Sequence, residues 1–366
     1  MAPFVAVSSI ALLISMTLPA SADPTWTVQS TPAVDGSVLY GVACPAPDWC
    51  VAVGQHVESP STSAVLTEIW DGSTWSIQAA PSPDGDTGDL FSSVSCVDPA
   101  FCMAVGEAQT PTGDYTLAEQ WDGSDWTILP TQDASGSPTN DLLLSVACPS
   151  MTMCVAVGFS GTNPQGIAEK WNGTSWSMMS PPNPSDSVLL LNVSCPDQAF
   201  CEAVGEYYSG GKGLALAMRW NGKTWKLQHA KSPSPSAYTY LNGVSCPTTE
   251  LCMSVGTTDE QRSKTFAEIW TGSGWTVKPT PKIKFGGILQ AVACPTSSEC
   301  IAVGQATRGT VGLAEGWDGS TWTLQTPAPI GRADLEGLTC GSPTWCEAVG
   351  WAGNTPIEPL AEAYSA

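Results

Sequence analysis

The sequence predicts an all-β protein, a seven-bladed β-propeller with four antiparallel strands per blade, on three observations. First, its 14 cysteines fall into seven pairs: Cys44 with Cys50, Cys96 with Cys102, Cys148 with Cys154, Cys195 with Cys201, Cys246 with Cys252, Cys294 with Cys300 and Cys340 with Cys346. Five residues separate the members of every pair, and successive pairs begin 46 to 52 residues apart, so one unit repeats seven times. Second, each unit reads as four short β-rich runs, the pattern of a propeller blade. Third, the chain ends complement each other: the last unit stops after its third run, at Leu360–Ala366, and the missing fourth, PTWTVQSTP, sits at Pro24–Pro32. Pairing the N-terminal strand (24–32) with the three C-terminal strands closes the ring and leaves no end repeat exposed.

The segment before that strand, residues 1–22, is apolar and ends in Ala20-Ser21-Ala22, as a signal peptide does. The expected mature chain is one propeller domain over 23–366, secreted and monomeric. Within a unit the first strand is LYGVAC (Leu39–Cys44) and its counterparts, whose small and β-branched residues suit a tightly packed inner strand. The second is CVAVG (Cys50–Gly54). The third ends in TEIW (Thr67–Trp70), and a turn such as Asp71–Thr74 leads into the fourth, WSIQ (Trp75–Gln78). Asp-Gly or Asn-Gly between β-rich runs is a hairpin signal, because these residues tolerate positive φ.

The WDGSTW segments at Trp70–Trp75 and Trp317–Trp322, with WDGSDW, WNGTSW, WNGKTW and WTGSGW, resemble the Asp-box (bacterial neuraminidase repeat) turns of sialidase-type propellers. The resemblance implies a propeller in an extracellular setting. It transfers no activity: Asp71 and Gly72 are adjacent where that motif has a residue between them. The arginines, Arg219, Arg262, Arg308 and Arg332, also stand in no context matching a sialidase arginine triad.

Fourteen cysteines in an exported chain point to disulfides, each stapling the two strands of an inner hairpin. A zinc site would want shorter spacings or histidines, and the chain has only His56 and His229. No metal or other cofactor is expected. Three carboxylates in Asp84–Asp89, DGDTGD, lack the spacing and the glutamate of a calcium loop. With 34 acids against 13 bases, a formal net charge of −21, neither nucleic acid nor an anionic membrane is an expected partner.

Six units carry a glutamate two residues before the aromatic that ends the third strand: Glu68, Glu119, Glu169, Glu268, Glu315 and Glu362, with Met218 in the fourth. Its first reading is structural, a carboxylate accepting backbone or indole N–H groups; the alternative is a lectin with a Glu/Trp sugar site in each blade. A unique site needs positions where the units differ, and two do. Four residues before the first cysteine stand Tyr40, Ser92, Leu144, Leu191, Asn242, Gln290 and Glu336; after AVG or SVG stand Gln55, Glu107, Phe159, Glu206, Thr257, Gln305 and Trp351.

Both sets are expected at one mouth of the central funnel. Tyr40, Gln55, Glu107, Phe159, Glu206, Asn242, Gln290, Glu336 and Trp351 are then the candidate ligand-binding residues, for an extracellular protein or a glycan. A glycosidase would need two of Glu107, Glu206 and Glu336 facing each other about 5–9.5 Å apart. No nucleophile motif, phosphate loop or histidine base speaks for catalysis, so a binding or scaffold module is the expected function.

Overall fold

In a computed structural model, the structure describes residues 24–32, 36–59, 62–83, 87–132, 140–232, 238–259, 263–306, 311–354 and 356–366. Residues 1–22 and positions 84–86 of the acidic Asp84–Asp89 segment lie outside them. The chain forms a ring of seven blades, each an antiparallel meander of four strands, lettered a to d from the axis outward. Blade 1 comprises Val38–Ala46, Trp49–Ser59, Thr62–Trp70 and Trp75–Ile77. In blade 7, strands a to c are Ala333–Ser342, Trp345–Ala352 and Glu358–Ser365, and strand d is the N-terminal Thr25–Gln29. The closure pairs Thr25 with Ser365 and Gln29 with Ala361, and it seats the buried Trp26 against Tyr364 with ring centroids 5.2 Å apart.

The core is distributed over the seams between blades. The face of blade 1 bearing Val51 and Val53 packs against the face of blade 2 bearing Cys102, Ala104, Leu117, Trp121 and Trp126. Strand alternation puts the repeated glutamate on that second face, opposite an alanine such as Ala104 for Glu119. All six glutamates are wholly buried. Glu169, Glu268 and Glu362 accept the backbone N–H of Gln132, Lys231 and Ala328, in the connectors of the preceding blades, at 2.9–3.1 Å. Burial pushes Glu68, Glu119 and Glu268 up to about 8, so at neutral pH they are protonated acids. The Trp pairs that bracket each c–d turn meet at 5.7–6.2 Å between ring centroids. Glutamate and indoles are thus spent on joining blades, and a per-blade sugar site would have neither available.

All seven cysteine pairs are disulfides across strands a and b. Cys44 bonds to Cys50, Cys96 to Cys102, Cys148 to Cys154 and Cys195 to Cys201 in blades 1 to 4. Cys246 bonds to Cys252, Cys294 to Cys300 and Cys340 to Cys346 in blades 5 to 7. The expected pairing holds throughout, and no described cysteine is free. The paired Cα atoms stand 4.0–4.1 Å apart, nearer than the ~5.5 Å usual for disulfides, because the two residues face each other directly in the ladder. The second cysteine of each pair, Cys201 and Cys346 among them, is buried in a seam between blades.

In each c–d turn with Asp, the carboxylate serves the turn itself: Asp71 Oδ1 accepts N–H from Ser73 at 2.9 Å and from Thr74 at 2.8 Å. Gly72 supplies the required φ of 89°.

Strand a borders the axial channel and has no neighbouring strand on its inner edge, so its exposed N–H groups need other partners. Side chains from the preceding blade provide them. Ser95 Oγ accepts the N–H of Cys148, Ser194 Oγ that of Cys246 and Ser245 Oγ that of Cys294, each at 3.0 Å.

Candidate functional site

Every strand a carries a β-bulge at the same place. In blade 1, Leu39 pairs with Gly54 and Gly41 with Val53, which leaves Tyr40 as the extra residue. The other six bulges leave out Ser92, Leu144, Leu191, Asn242, Gln290 and Glu336. These are the variable positions four residues before the first cysteine. A bulge bends its strand and re-aims the extra side chain, and here all seven line one cavity of about 500 Å³ on the ring axis.

The bulge also explains the invariant glycine of AVG. A Cβ at Gly54 would lie 1.9 Å from the carbonyl oxygen of Val38, and at Gly158 only 1.8 Å from that of Leu142. Glycine lets strand b approach the bulged backbone closely. The opposite end of the channel is a separate cavity of about 350 Å³ lined by the first cysteine of six of the seven disulfides.

The funnel is polarised. Blade 7 lies across the ring from the boundary of blades 3 and 4, so Glu336 faces Leu144 and Leu191, with Leu142 beside them. Tyr40, Asn242 and Gln290 fill in the polar side, and Asn242 Nδ2 donates to Leu289 O at 2.9 Å and to Gln290 Oε1 at 3.2 Å. Burial raises Tyr40, and Glu336 and Glu107 beside it raise it further, while Gln55 Nε2 donates to its hydroxyl at 3.1 Å.

Glu336 is raised by burial while hydrogen bonds to Asp334 and to the Trp351 indole oppose that, and the Arg332 guanidinium covers the Trp351 ring at 5.1 Å. Asp334, 2% exposed, accepts from Gln305 Nε2. Its pKa is raised by burial and then by the Glu336 charge.

Of the expected site residues, Tyr40, Asn242, Gln290 and Glu336 line the cavity itself. Gln55, Glu107 and Trp351 stand one strand further out and join the acidic side, where Glu107 accepts from Gln109 Nε2 at 2.9 Å. Phe159 pairs with Leu142 on the apolar side. Glu206 stands apart, in the seam of blades 4 and 5 beside Tyr240, where burial raises it to about 7.

Asp334 was missed by sequence reasoning. Its signal was present: at its position, six residues before the first cysteine, the other blades carry Val38, Leu90, Leu142, Leu189, Tyr240 and Ile288, and strand alternation puts an acid two residues before Glu336 on the same side. Among the described residues no cluster of His, Cys, Asp and Glu could hold a metal ion.

No protein-family model matches the chain, and no curated protein matches it. Solved structures do. A structure of YCF48 bound to D1 peptide is similar with a TM-score of 0.60 at 14% identity, over 93% of this chain and 97% of that one. YCF48 from Cyanidioschyzon merolae gives 0.60 at 14%, over 93% and 98%. A chain of the mitotic checkpoint complex gives 0.56 at 12%, over 97% and 99%. At these identities the likeness is one of fold, the β-propeller.

Proposed function

We propose that the protein is an exported binding module whose funnel mouth receives a segment of another protein. The observation that carries this reading is the polarity of the funnel. An acid pair and neutral hydrogen-bonding groups stand on one wall and leucines on the other, which fits a segment presenting a cationic side chain beside an apolar one. Of the three acids the glycosidase alternative draws on, Glu206 stands apart beside Tyr240, and Glu336 is hydrogen-bonded to its strand neighbour Asp334, which favours the binding reading. A neighbour of the same fold was solved with a peptide bound, which agrees with a peptide-sized occupant. The disulfides are consistent with life outside the cell.

Panning a random peptide library against the chain from residue 23 should enrich sequences pairing Lys or Arg with a large apolar residue. Glu336→Gln and Leu191→Asn should each weaken the best peptide about tenfold, roughly 1.4 kcal/mol, in a calorimetric titration. Peptides that bind both variants as tightly as the parent would sink the reading. A funnel that enriches nothing while a glycan array gives a hit would replace it with sugar binding through Tyr40, Asn242 and Gln290.

A further inference from the structure

The net charge of −21 conceals a sharp division. All 13 Lys and Arg residues lie between positions 170 and 332, and residues 1–169 contain none. The ring turns this division in sequence into a division in space.

Strands c and d, the turn between them and the connector that follows form the outer wall of each blade. In blades 4 and 5 these are residues 212–232 and 263–286, which hold eight lysines, Arg219 and a single acid, Glu268. Glu268 is wholly buried. Arg219 is spent inside the seam, where its Nε donates to Glu202 at 2.9 Å and its guanidinium lies 3.8 Å from the centre of the Trp270 ring. The same segments of blades 1 and 2, residues 62–83 and 113–132, hold six acids and no base. Of those six, Asp71, Asp122 and Asp125 are exposed.

Most of the lysines face solvent: Lys223, Lys226, Lys231, Lys282 and Lys284 are exposed. They flank two open grooves. One, of about 700 Å³ at the seam of blades 3 and 4, is lined by Lys170, Lys223, Ser177, Ser180 and Thr224. The other, of about 200 Å³, is lined by Lys264, Lys278, Thr265 and Thr280.

We propose that the outer wall of blades 4 and 5 is a docking surface for an acidic polysaccharide. The charge is of one sign and runs across two adjacent blades, which a chain-like polyanion can follow. The larger groove combines lysine ammonium groups with the exposed hydroxyls of Ser177, Ser180 and Thr224, a set that takes a sugar acid together with its neighbouring hydroxyls. An anionic bilayer fits less well. The exposed apolar residue of strand d recurs on other blades, as Ile77, Leu324 and Val28, which leaves Phe285 as the one exposed large apolar side chain particular to this wall among the described residues, a small anchor beside its lysines. This surface is independent of the funnel.

The test uses two variants of equal net charge. The first removes four positive charges from the wall: Lys223→Ser, Lys226→Thr, Lys231→Ser and Lys278→Thr. The second adds four negative charges at exposed strand-d positions elsewhere: Thr27→Glu, Ser76→Glu, Thr127→Glu and Thr323→Glu.

Binding to dextran sulfate and to polygalacturonate is measured at rising salt, with vesicles containing phosphatidylglycerol as a third probe. The parent should bind at least one polymer, and binding should fall steeply with salt. The first variant should lose about tenfold or more, the second less than about threefold. No binding of the parent to either polymer, or equal loss in both variants, overturns the proposal. Tighter binding to the vesicles than to either polymer also overturns it, in favour of a membrane surface.

Discussion

The two ends of each inner hairpin are built by opposite devices. At the lower mouth the side chains are fixed, by a disulfide whose cysteines recur in all seven blades. At the upper mouth the backbone is fixed, by a bulge and its facing glycine, while the side chain aimed at the channel changes from Tyr40 to Leu144 to Glu336. The difference teaches where this fold can store a function: in the inner-strand position whose side chain the frame leaves free to vary.

The strongest way to break that contrast is to give the glycine a side chain. In Gly158→Ala the new methyl would lie 1.8 Å from the Leu142 carbonyl oxygen, which is backbone and cannot step aside without undoing the bulge. A loss of about 3–5 kcal/mol is expected in urea-induced unfolding. A loss under about 1 kcal/mol would show that the bulge does not depend on glycine.

At the other end, replacing Cys148 and Cys154 together by Ala removes a staple that closes a very short loop. Chain entropy then allows about 2 kcal/mol. The same unfolding experiment reads it, and a loss as large as that of Gly158→Ala would contradict the ranking of the two devices.

Seven blades, their strands, the closure and the staples were all legible in the sequence, because each is written seven times and a repeat averages away local ambiguity. The variable positions were legible for the same reason, as the places where copies disagree. The bulge was not. No residue type marks it, since its own position varies, and the glycine that requires it also reads as an ordinary strand end. Asp334 went unseen because the other six copies of its column are Val, Leu, Tyr or Ile, so the column reads as core and not as a variable position. The burial of the repeated glutamates depends on which face of each blade meets its neighbour, and strand periodicity does not encode that choice.

The buried glutamates give a pH test of the seams that support both mouths. Glu68 has no hydrogen-bond partner for either oxygen among the described residues, and burial raises it from 4.5 to about 8. Between those values the folded chain keeps a proton that the unfolded chain has lost. Raising the pH from 4.5 to 8 therefore favours unfolding, and the contribution of this group is greatest below 4.5. Glu68→Gln cannot ionise, so its stability relative to the parent should rise by roughly 3–4 kcal/mol between pH 5 and pH 8.5. Parallel stability curves for the two proteins would place the carboxyl in contact with water.

The smallest effect is expected at the bulge residue itself, and its smallness is the point. Ser92 and Leu191 both line the funnel, and neither supplies the covalent link or the close backbone contact that holds its hairpin together. Ser92→Ala and Leu191→Ser should each leave urea stability within about 0.5–1 kcal/mol of the parent. Leu191→Ser removes apolar surface from the wall facing Glu336 and should weaken any peptide that inserts a large apolar side chain there. Stability and binding should thus separate at this position. At Gly158, one strand behind the funnel wall, they should fail together. A Leu191→Ser protein as unstable as Gly158→Ala would place the variable residue inside the frame and remove the reason to look for function there.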